Sequence, residues 1–263
     1  MTRYQTLAVS RDGPVLHIRL DRPEVRNAFN GTVVEELQLA FREVDRDTTT
    51  HVVVLAGNGK SFSAGADLAW MQQQSALPPE QNELGAEAMA RMFLSIARCR
   101  KPVIGRVHGH ALGGGTGLVA SVDMAFCTED CVFGLTEVKL GIVPAVISPF
   151  VLQKIGAGRA RTLFLTGERF DGREAQRIGL VHRALAGESA LDAAVQQAIE
   201  ELLSSGPKAV ASAKELIRNV AGLSMEEAIT PTSRWIAQLR ATPEAQEGIA
   251  AFLGKRKAGW IPS

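Results

Sequence analysis

The spacing of hydrophobic positions changes twice before the first long loop. Leu7 and Val9, then Val15, Leu16, Ile18 and Leu20, follow a strand-like period around Arg11-Asp12-Gly13-Pro14, which predicts a hairpin. After the polar stretch from Asp21 to Phe29, Val33, Val34, Leu37, Ala40, Phe41 and Val44 recur at helical spacing. An apolar run, Val52 to Leu55, then predicts a strand that leads through Ser63-Ala64-Gly65-Ala66-Asp67 to a helix beginning near Leu68. The segment 72–85, QQQSALPPEQNELG, has no apolar period and reads as a mobile or variable loop before a helix carrying Ala88, Met89, Met92, Phe93 and Ile96. A second strand–loop–helix unit follows: Val103, Ile104 and Val107, then Gly113, Gly114 and Gly115, then Leu118, Val119 and Val122. Past Gly156, short helices are expected at Arg159 to Leu165 and Glu174 to Gly179, with a short strand at Leu180-Val181. Four helices close the chain: Ala193 to Leu203, Pro207 to Val220, Met225 to Leu239 and Pro243 to Leu253. The pattern is α/β over residues 1–190 and helical over 191–263.

Composition narrows what such a chain can be. With 263 residues, 46% of them hydrophobic, it can bury a full core. Its 29 Lys and Arg against 28 Asp and Glu leave no global attraction to nucleic acid or anionic lipid, and 5% aromatic content adds none. The N-terminal MTRYQTLAVSRDG holds no apolar run of signal-peptide length, and Gly141 to Leu152 is broken by Pro144 and Pro149. The expectation is a soluble cytoplasmic protein without membrane or nucleic-acid partners. Cys99, Cys127 and Cys131 have neither zinc nor redox spacing and are expected as small core residues.

The candidate chemistry begins at Gly113 to Gly115. Glycine reaches conformations that a Cβ forbids, and the first N–H groups of a helix lack intrahelical partners, so an electronegative guest is expected there. A phosphate is one candidate, since Gly115-Thr116-Gly117 with Ala120 matches a loose dinucleotide pattern, but His108 to Leu112 separate it from the strand end. An oxyanion is the other, with a second donor supplied by Ser63 to Asp67. Gly59-Lys60-Ser61 is not a phosphate loop, because Val54 stands where that motif needs glycine. His108 and His110 lack the further ligands a metal requires, and no Gly-x-Ser-x-Gly is present. Glu137 sits among Val132, Phe133, Leu135, Val138, Leu140 and Ile142; desolvation there would raise its pKa and let one carboxyl take and return a proton. A strand-end glutamate paired with Lys139 is the plainer reading. Leu68, Trp70 and Met71 fit either a pocket wall or ordinary core.

Phe62-Ser63-Ala64-Gly65-Ala66-Asp67-Leu68 with Met71, Ala111-Leu112-Gly113-Gly114-Gly115, and Thr136 to Pro144 resemble the signature of the crotonase, or enoyl-CoA hydratase/isomerase, superfamily. The likeness runs from about Val15 to Trp260. It implies a spiral of repeated ββα units with a C-terminal helical region that builds homotrimers, often paired into hexamers. It implies that Ala66 and Gly114 N–H groups form an oxyanion hole for a thioester carbonyl, with Glu137 as catalytic acid and base. Substrate and coenzyme A contacts carried over by motif are Arg26, Ala28, Ala64, Asp67, Leu68, Met71, Gly113, Phe252 and Lys255. Coenzyme A belongs to the acyl-CoA substrate, so no separate cofactor and no metal are expected. Hydratases with two glutamates carry the first three residues after the middle glycine, where this chain has Gly117. Gly113 to Ala125, Val138 to Val151 and Gly167 to Val181 resemble bacterial methylglutaconyl-CoA and isohexenylglutaconyl-CoA type hydratases, of leucine and acyclic terpene breakdown. The implied activity is hydration of an enoyl-CoA; a one-glutamate double-bond isomerase and a non-catalytic acyl-CoA-binding protein are the alternatives.

Overall fold

In the computed structural model, which describes residues 2–261, the predicted hairpin forms with Gly13-Pro14 as its turn. β1 (Leu7–Asp12) pairs antiparallel with β2 (Val15–Leu20), Asp12 opposite Val15. α1 (Gly31–Arg46) starts where the Asn30 side chain accepts from Val33 N–H, a cap of about 1 kcal/mol. It buries the six apolar residues its periodicity marked. β3 (Val52–Gly57) is buried on both faces, as a parallel strand between two layers must be.

The chain continues through α2 (Leu68–Ser75), α3 (Pro79–Ala97), β4 (Val103–Val107), β5 (His110–Leu112), α4 (Gly114–Ser121), β6 (Met124–Thr128) and β7 (Val132–Gly134). A 3₁₀ turn, Thr136–Leu140, precedes α5 (Ser148–Thr166), β8 (Arg169–Phe170), α6 (Gly172–Arg177) and β9 (Arg183–Leu185). α7 (Glu188–Ser204), α8 (Pro207–Val220), α9 (Met225–Arg240) and α10 (Pro243–Leu253) complete it.

Two sheets result, one in the order β1-β2-β3-β4-β6-β9 and a smaller one in the order β5-β7-β8. The chain gives a strand to the first sheet, crosses to the second, then returns as a helix: β4, β5, α4, and next β6, β7, α5. β3 makes an incomplete version of the same step, for Ser63 bridges Ala111 of β5 before α2 begins. This is the ββα spiral. Gly109 makes the crossing after β4, at φ +65°; a Cβ there would lie 2.0 Å from the Lys60 carbonyl oxygen. Strand alternation then divides the core. Ile18, Val53, Leu55 and Val107 face α1, α3 and α4, while Val15, Val52, Val54 and Ile104 face Leu191, Val195 and Ile199 of α7.

Three expectations need correction. The segment 72–85 is helical apart from Ala76 to Pro78, because Pro79 opens α3 at a position that needs no N–H donor. Its polar composition reflects a first half of α3 turned to solvent, not the absence of a helix. Leu180 and Val181 are buried but not extended, and the strand forms at Arg183–Leu185 beside β6. α5 begins well before Arg159, and Gly156, at φ 73° and ψ 158°, breaks it into two pieces. All three cysteines are buried and free, as expected. Among the described residues, no helix is long and apolar enough to cross a membrane.

Candidate active site

Two tight segments are pressed together at the centre of the molecule. Ser63 N–H donates to His110 O and Leu112 N–H to Ser63 O, which lays the Ser63–Asp67 loop along β5. At Gly65, φ is +85°, and a Cβ would sit 2.5 Å from Leu112 O and 3.1 Å from Gly114 N. Glycine is required there for both reasons. Phe29 clamps the same loop from the other side: its N–H donates to Gly65 O at 2.9 Å and its carbonyl accepts from Asp67 N–H at 3.0 Å. In such a parallel bridge the middle residue, Ala66, points its own N–H away from Phe29.

Gly113, at φ 50° and ψ −119°, turns β5 into α4 in a conformation that side chains resist. Its N–H donates to Gly134 O at 2.7 Å, and the Thr116 hydroxyl donates to Ala111 O at 2.6 Å, so the helix start is fixed to the small sheet. Among the described residues, neither Ala66 N–H nor Gly114 N–H has an acceptor. Both residues line a cavity of about 1000 Å³.

Glu137 lines that cavity too. It lies half-buried on the 3₁₀ turn, and its Oε2 is buried without a hydrogen-bond partner. A Cβ at Gly113 would be 3.1 Å from its Oε1, which puts the carboxyl against the turn that bears Gly114. Burial raises its pKa above the ordinary glutamate value, only partly opposed by a hydrogen bond from its own backbone. The strand-end reading fails, since the residue is on a turn and no ion pair to Lys139 forms.

Of the residues singled out from sequence, Ala28, Ala64, Ala66, Asp67, Leu68, Met71, Gly113, Gly114 and Glu137 share this cavity. Asp67 has structural work as well, capping α2 through Ala69 and Trp70 N–H and pairing with Arg22 at 3.4 Å. Arg26 is exposed and lies off the cavity wall, although its carbonyl holds Ala64 N–H at 2.9 Å. Phe252 and Lys255 do not reach the cavity of their own chain: α10 packs on α8 and α9, and Phe252 is 84% exposed. Gly115 does not cradle a phosphate; a Cβ there would lie 2.4 Å from Ser63 O, so its smallness serves packing. His108 joins strand to loop through Gly59 O at 2.8 Å and Arg106 at 3.2 Å. Among the described residues no group of three or more potential ligands gathers for a metal.

Position 117 is closed. A Cβ on Gly117 would lie 2.3 Å from Ile147 Cγ2 and 3.1 Å from Phe93 Cε1, so apolar atoms fill the space a side chain would need. Sequence reading did not assign to the site Met89, Val146, Ile147 and the charged Lys139, Glu168 and Arg169, which also line the cavity. The apolar members were indistinguishable from core, and no local pattern marks the charged ones.

A family model described as Enoyl-CoA hydratase/isomerase matches residues 10–262. The solved structure of an enoyl-CoA hydratase from Shewanella pealeana superposes with a TM-score of 0.94 at 37% identity, covering 98% of this chain and 97% of that one. The 2,3-dehydroadipyl-CoA hydratase of Escherichia coli is 33% identical over 251 residues, 95% of this chain and 96% of its own. The peroxisomal Delta(3,5)-Delta(2,4)-dienoyl-CoA isomerase of Arabidopsis thaliana is 31% identical over 270 residues, 98% of this chain and 97% of its own.

Proposed function

The chain belongs to the enoyl-CoA hydratase/isomerase family and has its crotonase-like fold, and on that premise we propose that it is an enoyl-CoA hydratase working with a single carboxyl group. The observation that carries this reading is the buried, unpartnered Oε2 of Glu137 on the same cavity as two unpartnered backbone N–H groups. Ala66 and Gly114 N–H hold the thioester oxygen. Charge drawn onto that oxygen makes Cβ of the enoyl group electrophilic. The Glu137 carboxylate takes a proton from water as the water oxygen bonds to Cβ, and the double-bond electrons pass into an enolate held by the two N–H groups. Protonated Glu137 then gives its proton to Cα, which restores both thioester and carboxylate. One molecule of water is added and no proton is left over.

The closed position at Gly117 favours a second reading, a double-bond isomerase, because proton transfer from Cα of a 3-enoyl-CoA to its Cγ needs one carboxyl and no water. A panel of acyl-CoA esters followed by mass spectrometry in heavy water separates the two. Hydration adds the mass of water to crotonyl-CoA or 3-methylglutaconyl-CoA, isomerisation adds none, and a protein that only binds acyl-CoA exchanges no α-protons. A branched glutaconyl ester is the acyl group proposed, and the dehydroadipyl-CoA relative is a hydratase whose named substrate also carries a carboxyl.

A homotrimer or a dimer of trimers is proposed as the assembly. α9 buries no residue within the chain, Met225 is 88% exposed, and Ile217 and Ile229 are exposed nearby. Phe252 and Lys255 would meet coenzyme A only across such an assembly. Light scattering after gel filtration reports the mass directly.

A further inference from the structure

Beside the apolar wall of the cavity stand two cations with no task in the fold. Lys139 follows Glu137 by two residues on the 3₁₀ turn, and Arg169 opens β8. Both line the cavity. Among the described residues, neither forms an ion pair, with Glu137, Glu168, Asp67 or any other acid. Glu168 lines the cavity between them in sequence, and Asp67 is engaged by Arg22, so the local balance stays cationic if Glu137 is protonated and near neutral if it is not.

Both residues are exposed, and their stems lie against glycines. Arg169 is in register with Gly134 across β7 and β8, and a Cβ on Gly134 would lie 3.3 Å from Arg169 Cγ. Gly134 in turn accepts the Gly113 N–H, so the arginine stem crosses the strand residue that anchors the turn before Gly114. Lys139 rests on Gly167, where a Cβ would lie 3.3 Å from both its Cγ and Cε. Two glycines on separate elements thus leave room for two cationic stems beside the reacting centre.

We propose that Arg169 and Lys139 form a subsite for a carboxylate at the distal end of the acyl group, so that the protein selects acyl-CoA esters with a second, free carboxylate. This rests on the acyl-CoA reading above. A guanidinium and an ammonium offer a carboxylate charge-assisted hydrogen bonds, while an uncharged acyl chain would cover them without compensation. Selection therefore works in both directions, attraction for the anion and a desolvation cost for the neutral chain. The phosphates of coenzyme A are the competing anions. They hang at the end of the long pantetheine arm, whereas Arg169 is in register with the Gly134 that accepts the Gly113 N–H, Lys139 stands two residues from Glu137, and both line the cavity proposed to hold the acyl chain.

The test uses saturated esters, so that it does not depend on turnover. Calorimetry measures binding of glutaryl-CoA, butyryl-CoA and free coenzyme A to the wild type, Arg169→Met, Lys139→Met, the double variant and Arg169→Lys. Glutaryl-CoA is expected to bind about 10- to 100-fold more tightly than butyryl-CoA. The double variant should bring that ratio close to one, each single variant should reduce it, and Arg169→Lys should restore part of it. Equal affinity of the wild type for both esters overturns the subsite. So does a loss shared by all three ligands in the variants, which would assign the cations to the phosphates or to the fold. If the wild type hydrates nothing yet keeps an Arg169-dependent preference for glutaryl-CoA, the hydratase reading falls and the subsite stands.

Discussion

The two sides of the proposed thioester site differ in what borders them. On the side of the 3₁₀ turn, a carboxyl group is held with one oxygen buried and unpartnered, next to Gly113. On the side of α4, the wall at Gly117 is shut by Ile147 and Phe93, leaving no room even for a methyl group. Keeping an unpartnered carboxyl buried opposes stability, whereas packing Ile147 and Phe93 against Gly117 favours it. The proposed chemistry thus falls where the fold is least comfortable, and the wall at Gly117 is packed like ordinary core. A one-sided site fits proton transfer by a single group.

The strongest way to break this contrast is to remove the carboxyl. Glu137→Gln keeps the shape and the desolvated surroundings but cannot take a proton, so turnover of the preferred enoyl-CoA should fall by about 10²- to 10⁴-fold. Calorimetry should still register acyl-CoA binding. A variant with more than half of wild-type activity would exclude Glu137 from the chemistry.

Gly114→Ala attacks the donors instead. Its Cβ would lie 2.2 Å from Phe29 Cζ, so either the ring or the start of α4 must shift, and the N–H moves with it. Loss of one donor is expected to lower the rate by about 10²- to 10³-fold. Phe29→Leu/Gly114→Ala, which gives the methyl group space, should recover part of the rate if displacement of the N–H is the cause.

A third substitution bears on the closed wall. Gly117→Ala should destabilise the protein by about 1–3 kcal/mol through overpacking, read from urea denaturation midpoints. Gly117→Glu should be worse and bring no gain in hydration. If Gly117→Glu folds with wild-type stability, the wall is not rigid and the contrast between the two sides dissolves.

Much of this arrangement was legible in the sequence, for reasons that differ by element. α1 is amphipathic against one sheet, so its six buried residues follow from period alone. Gly65 and Gly113 announce backbone positions that a Cβ would spoil, and the structure gives both positive φ. Glu137 stood out as a charge in an apolar run. β5 escaped because it has only His110, Ala111 and Leu112, too few to show a period. The first half of α3 escaped because it buries nothing. Lys139 and Arg169 carry no local mark, since only the pairing of β7 with β8 brings one beside the turn that holds the other. The filling of position 117 depends on Ile147, distant in sequence, and no local pattern could reveal it.

The smallest effect concerns pH and tests the uncomfortable side directly. Burial raises the Glu137 pKa in the folded state above its ordinary value of 4.5. In the unfolded chain the carboxyl ionises near that ordinary value, so the folded state favours the proton more. The stability this group confers is therefore fully present below the unfolded pKa and is lost as pH rises through the folded one. Glu137→Gln has no such group. Its stability relative to wild type should rise with pH across that window and level off on both sides. Urea denaturation of the two proteins at matched pH values gives the difference curve. The same ionisation should appear in kcat/KM for hydration, which needs the carboxylate: activity should climb with pH through a midpoint above 4.5. A flat stability difference would mean that water reaches Glu137 freely, and with it would go the reason for a single buried carboxyl to serve as both acid and base.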